Sequence, residues 1–329
     1  MSRVLAAGLG LVLAGLGLRP AAAEPGPDPG ACEMCGPGPF PAARARDEVA
    51  VPGPLGALPV TVTYPAAPGP GSVAPVVLLS GFLLAPADHA PYAERLASHG
   101  YLVVQYDAPP LLPDTQELAL LAPLRAALPA LAARLPGFDA GALDASALGV
   151  AGYSRGGKLA ALHLAGGGAD AAFLVCPVDI GGGGGRAGPS ALEALRGRGL
   201  RLGVAGAGHT GPCNPEGRNW RAFAAEAGPG SWAQEVVAAG HAHFALPGQP
   251  RRAALRWLCG GSAALASRDA IGLVLPALVG FLEQELRGRD ASRVRGWLQG
   301  QGGVRFEVLG ARGGPGAAGG ARAPVAAAR

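Results

Sequence analysis

Apolar runs separated by helix-patterned stretches organise the middle of the chain. Val76 to Ser80 and Tyr101 to Tyr106 are β-rich without alternation, the pattern of strands buried on both faces of a parallel sheet. Between them, Tyr92 to His99 has helical spacing and is stopped by Gly100. Thr115 to Arg134 reads as a longer Ala/Leu-rich helical region, interrupted by Pro123 and Pro129. Further strands are predicted at 147–151, 172–176, 200–205 and 232–237, with helices at 158–165, 191–198 and 267–286. Leu58 to Tyr64 alternates, as an early edge strand would. Strands alternating with helices predict an α/β fold: one doubly wound, mostly parallel sheet, in a single domain over 58–300.

The flanks read differently. Arg3, an apolar segment from Val4 to Leu18, and Ala21-Ala22-Ala23 describe a cleaved targeting leader over 1–23. Its pattern is secretory, and the lack of an acidic residue before Glu24 also fits an organelle transit peptide. Residues 24–57 form a Pro/Gly-rich lead-in, and the Gly/Ala/Arg-rich 301–329 is expected to be a disordered tail.

Composition changes this picture in two places. The 55 glycines accompany an excess of Ala, Pro and Arg, and Lys158 is the only lysine among 27 basic residues. Such a bias makes Gly181 to Gly185 an enlarged loop rather than a phosphate cradle. The net charge of +4 comes from scattered arginines, with no basic stripe interleaved with aromatics, so nucleic-acid binding has little support. Five cysteines fit an oxidising compartment. Cys32-Glu33-Met34-Cys35 has no second pair to complete a zinc site and is expected to be a local disulfide or two idle thiols.

The chemistry centres on Gly152-Tyr153-Ser154-Arg155-Gly156, a G-x-S-x-G between a predicted strand and a predicted helix. In that setting the serine sits on a sharp turn above a helix N-terminus, whose free N–H groups can receive an oxyanion. A serine hydroxyl needs an imidazole to remove its proton, and the imidazole needs a carboxylate to fix its tautomer. His209, His241 and His243 follow the serine helix. His241, after Gly240 and just past the 232–237 strand, lies at the carboxyl edge of the sheet and is the candidate base. Asp179, just past the 172–176 strand, is the first candidate for the acid and Glu216 the second. Asp107 precedes the serine, and Asp170 lies at the wrong strand end. The oxyanion donors are expected to be the backbone N–H groups of Arg155 and Phe82. Gly81 allows close backbone approach, and Leu83 and Leu84 would wall an apolar substrate pocket. Ester chemistry of this kind calls for no metal or cofactor.

Several segments resemble the chlorophyllases, serine esterases of the α/β-hydrolase fold. Their Gly-His-Ser-Arg-Gly-Gly-Lys appears as Gly152 to Lys158, with Tyr153 for histidine. Ser80-Gly81-Phe82, Ser98-His99-Gly100-Tyr101, Pro212-Cys213-Asn214-Pro215 and Ala239-Gly240-His241 match further family segments across 58–290. The resemblance implies hydrolysis of the phytyl ester of chlorophyll by a Ser-His-Asp acyl-enzyme mechanism. It also implies a plastid location and peripheral contact with a membrane to reach the pigment. One position departs. Where the family has Asp-Pro-Val, this chain has Cys176-Pro177-Val178, and Asp179 matches a second acidic position of the family. Either Asp179 has taken over as the acid or the triad is impaired.

Overall fold

The computed structural model describes residues 32–66, 71–181, 188–248, 251–259 and 265–310. The leader expected over 1–23, the glycine loop at 182–187 and the tail from 311 onward lie outside the described residues. In chain order the strands are β1 (Ala42–Ala50), β2 (Ala57–Pro65), β3 (Pro75–Leu79), β4 (Leu102–Tyr106), β5 (Gly149–Tyr153), β6 (Ala171–Val175), β7 (Gly203–Ala207), β8 (Trp232–Val236) and β9 (Val304–Val308). They form one sheet in the order β1-β2-β4-β3-β5-β6-β7-β8-β9. From β4 across to β8 every neighbouring pair is parallel, and antiparallel pairs close the sheet at both ends. This is the α/β-hydrolase fold.

The unalternating apolar runs behave as their composition requires. In β3, Val76 and Leu78 face one core while Val77 and Leu79 face the other; in β6, Phe173 and Val175 oppose Ala172 and Leu174. Both sides of the pleat are therefore dry. Helices α1 (Ala90–Ser98), α8 (Ser267–Arg287) and α9 (Ser292–Gly300) cover the first face through Tyr92, Leu96, Leu278, Phe281 and Leu298. Helices α3 (Leu121–Arg134), α4 (Arg155–Ala165), α5 (Ala191–Leu195) and α6 (Trp220–Glu226) cover the second through Leu124, Leu128, Leu159, Leu195 and Phe223. Each fully buried leucine or phenylalanine contributes about 1.5–3 kcal/mol relative to exposure. The 115–134 region divides at Leu120 into α2 (Asp114–Ala119) and α3.

The sheet extends past both ends of the expected 58–300 domain. β1 lies in the segment read as a lead-in and β9 in the segment read as a tail. Leu58 to Tyr64 belongs to β2, which is an inner strand because β1 pairs outside it. Ahead of β1, Cys32 and Cys35 are joined by a disulfide and buried against the first core. Helix α7 (Arg251–Cys259) is tied by a second disulfide, Cys213–Cys259, to the loop after β7.

Candidate active site

The turn between β5 and α4 is built by glycines. A Cβ at Gly152 would come 2.3 Å from the carbonyl oxygen of Gly156, and one at Gly156 would come 2.3 Å from that of Leu79. Only hydrogen there lets α4 settle on the strand ends. Ser154 between them has φ 56° and ψ −118°, a conformation costing on the order of 1–3 kcal/mol for a residue with a Cβ. The surrounding structure holds it: Ser154 N–H donates to the Val175 carbonyl at 2.9 Å, and Lys158 N–H donates to the Ser154 carbonyl at 3.1 Å. The hydroxyl is thereby fixed over the N-terminus of α4.

His241 stands in a short 3-10 turn, His241–Phe244, after β8. Its Nε2 lies 2.9 Å from Ser154 Oγ. Two side chains and one backbone bond secure the turn and its exit: Tyr92 donates to the Phe244 carbonyl at 3.0 Å, Tyr153 donates to the His241 carbonyl at 2.8 Å, and Leu246 N–H donates to the Asp88 carbonyl at 2.9 Å. Burial holds the His241 imidazole neutral, lowering its pKa to about 3. A neutral imidazole is the form that can accept a serine proton.

The partner of His241 Nδ1 is Cys176, whose sulfur lies 3.1 Å away. Residues 153 and 175 are register partners in β5 and β6, so Ser154 and Cys176 leave adjacent strands side by side. Cys176 is fully buried at φ 43°, and burial pushes its thiol up to about 12 despite an Ala207 N–H on the sulfur. It is therefore a neutral thiol. Sulfur is a weak acceptor, and a thiol that donates to Nδ1 would leave the proton on Nε2, where it opposes removal of the serine proton.

Asp179, read from the sequence as the acid, is corrected by the geometry. Its carboxylate accepts from Ser190 Oγ at 2.5 Å and from Ala191 N–H at 3.0 Å, at the start of α5, and lies 3.8 Å from Lys158 Nζ. Four residues past the end of β6, the chain has already turned toward α5, so the carboxylate serves that helix and the buried lysine. Glu216, the second candidate, is exposed on the loop before α6. Asp170 accepts from Leu148 N–H at 2.8 Å at the opposite strand end.

The remaining predicted residues gather at the same edge. Leu84 N–H donates to the Gly81 carbonyl at 3.1 Å, closing a tight turn that carries Phe82 and holds Leu83 at φ 60°. A leucine in this region is strained in the same sense as Ser154. Arg155 is the first residue of α4, whose opening N–H groups have no partner within the helix. Gly81, Leu83 and Leu84 line a cleft with Ser80, Asp107, Pro109, Pro110 and Arg155. The Arg155 side chain points away from the reaction, donating to Asp114 at 2.7 Å and also to Glu117, while Lys158 donates to Asp114 at 2.9 Å. This buried cluster fastens α2 against the serine turn. His243 is buried in the same turn as His241, where Arg256 donates to its Nε2 at 3.0 Å. His163 packs behind the serine helix over Gly168.

Sequence reasoning passed over Tyr153 and His89. In the sequence Tyr153 stands out only as a departure from a motif, yet its ring stacks on His241 with centroids 5.0 Å apart and planes 27° apart. His89 is buried against the Tyr153 ring at 5.4 Å, and burial lowers its pKa to about 4. Its position at the start of α1 carries no local signal of proximity to the site.

No curated protein matches the chain. Residues 19–169, a little under half of the sequence and including the whole serine turn, match the family model described as PET hydrolase-like. That match, together with the strand order and the serine turn, identifies an α/β-hydrolase fold of the kind that implies an ester hydrolase.

Proposed function

We propose that the protein hydrolyses carboxylic esters through an acyl-enzyme on Ser154. The observation that carries this reading is the 2.9 Å approach of His241 Nε2 to the hydroxyl of a serine held at positive φ over a helix N-terminus. Ser154 Oγ attacks the ester carbonyl carbon while its proton passes to Nε2. The carbonyl π pair moves onto oxygen, which the Phe82 and Arg155 N–H groups receive. Collapse expels the alkoxide, which takes the proton from Nε2 and leaves as the alcohol. Water repeats the sequence on the acyl-enzyme and releases the acid.

The substrate is best read as an apolar ester. Phe82, Leu83, Leu111 and Ile180 are the exposed large apolar side chains on the loops after β3, β4 and β6, around the edge where Ser154 stands. The cleft beside them holds about 190 Å³ and presents both polar and apolar groups, room for a compact acyl or alcohol group. Hydrolysis of the chlorophyll phytyl ester is a finer reading supported by the Ser154-to-Lys158 segment. A polyester such as PET is the alternative drawn from the family description. Cys176 favours a third, in which the fold binds apolar esters with little turnover. Two disulfides support folding in an oxidising compartment.

Incubation with p-nitrophenyl acetate, chlorophyll a and PET film, beside a fluorophosphonate probe, tests these readings together. Turnover of the short ester and probe labelling, both lost in Ser154→Ala, are expected. Chlorophyllide formation would establish the pigment reading, and turnover of short esters alone would end it. Folded protein that neither labels nor turns over any ester overturns the hydrolase reading.

A further inference from the structure

Ordinarily a triad carboxylate does three things for its histidine: it fixes the ring plane, selects the Nδ1–H tautomer and stabilises the imidazolium. At Cys176 this chain has a neutral sulfur, which does the second weakly and the third hardly at all. Tyr153 meets His241 at both ends of that residue. Its ring lies over the imidazole at 5.0 Å and 27°, and its hydroxyl holds the backbone carbonyl at 2.8 Å. Tyr153 is itself immobile. It is buried, it precedes Ser154 directly on β5, and the space for its ring exists because residue 81 is glycine: a Cβ there would come 2.8 Å from the Tyr153 ring.

We propose that Tyr153 is a positioning residue that takes over part of the missing carboxylate's work, setting the plane of His241 and presenting a π face to the imidazolium formed when the Ser154 proton reaches Nε2. The inference rests on the hydrolase reading above. A cation over an aromatic face within about 6 Å gains an attraction equivalent to roughly 2- to 30-fold in rate or equilibrium. The groups around the pair do not compete for that charge. Cys176 is a thiol held protonated by burial, Tyr92 is a phenol held protonated by burial, and burial keeps His89 neutral behind the Tyr153 ring.

The test is a double-mutant cycle between Tyr153 and Cys176. Tyr153→Phe keeps the ring and removes the bond to the carbonyl; Tyr153→Leu removes the face as well. On p-nitrophenyl acetate, Tyr153→Leu is expected to lower kcat about 10- to 30-fold with KM unchanged, and Tyr153→Phe a few-fold. In a Cys176→Asp background both losses should shrink below about threefold, because the carboxylate makes the tyrosine redundant. Equal losses in the two backgrounds would mark a merely structural residue and overturn the proposal. The 15N shifts of the His241 ring, followed by NMR across pH, need no turnover. If no variant turns over but Tyr153→Phe or Tyr153→Leu moves those shifts, the positioning role stands and the hydrolase reading falls. Shifts and titration that stay put in both variants overturn the positioning role itself.

Discussion

Cys176→Asp converts the site into the arrangement that serine hydrolases ordinarily use, and the structure is prepared for it. Cysteine and aspartate are close in size, and aspartate is among the residues that best tolerate positive φ, here 43°. The sulfur already receives Ala207 N–H and faces His241 Nδ1 at 3.1 Å, so a carboxylate in its place would find a donor for each oxygen. Losing tautomer control in a serine hydrolase costs roughly 10⁴ in turnover, about 5 kcal/mol in the barrier. Part of that is offset here by Tyr153 and by the cost of burying a new charge. The expected gain is therefore about 10²- to 10³-fold in kcat on p-nitrophenyl acetate, with KM little changed because the acid does not touch substrate. The pH profile supplies an independent reading. The rate needs neutral His241, whose pKa is lowered to about 3, so the rate per folded molecule of the unmodified protein should hold on acidification down to about pH 4. A carboxylate at 176 favours the imidazolium, raises that pKa and moves the acid limb upward, toward the ordinary histidine range. A folded Cys176→Asp variant with unchanged kcat and an unmoved acid limb would refute the placement of residue 176 as the triad's third member.

Two further outcomes follow from the same geometry. Asp179→Asn should leave kcat within about threefold, while losing roughly 1–3 kcal/mol of stability from the bonds to Ser190 and Ala191 and the pairing with Lys158. Urea unfolding beside steady-state kinetics checks this, and a tenfold fall in kcat without loss of stability would return the acid to Asp179. Stability should also fall on mild acidification through His89 and His241, both fully buried, with pKa values lowered from 6.5 to about 4 and about 3. The unfolded chain binds these protons below about pH 6.5 and the native state does not, so stability present above that pH drains as pH falls toward 4. The two groups together contribute a slope of up to about 2.7 kcal/mol per pH unit. Urea midpoints at pH 7, 6 and 5 measure it; equal midpoints would sink the claim, and His89→Gln should remove up to about 1.4 kcal/mol per pH unit of the slope.

What the sequence discloses is governed by which interactions leave a local trace. Strands buried on both faces are written as apolar runs, so β3 to β6 can be read directly, whereas β7, expected at 200–205, lies at Gly203–Ala207, where two glycines blur its start and end. β1 escapes because, of its inward positions Ala43, Ala45, Asp47 and Val49, two are small and one is charged, so Val49 alone stands out as apolar. β9 escapes because its five residues sit in a Gly/Arg-rich setting and acquire meaning only by pairing with β8. Ser154 is legible because its turn demands glycines at Gly152 and Gly156, and His241 because it follows a strand at the carboxyl edge. The third member is not legible from charge. A search for a carboxylate at that edge finds Asp179, and nothing local shows that its oxygens are committed to Ser190 and Ala191. The resemblance to the chlorophyllases sets Cys176 opposite the aspartate of their Asp-Pro-Val, and the register of β5 against β6 places it beside His241. Strand register decides which residue faces Nδ1 whatever its side chain, so an acid three residues on cannot take that place without rebuilding the turn. Compensation must come from residues already touching His241, and Tyr153 touches both its ring and its carbonyl.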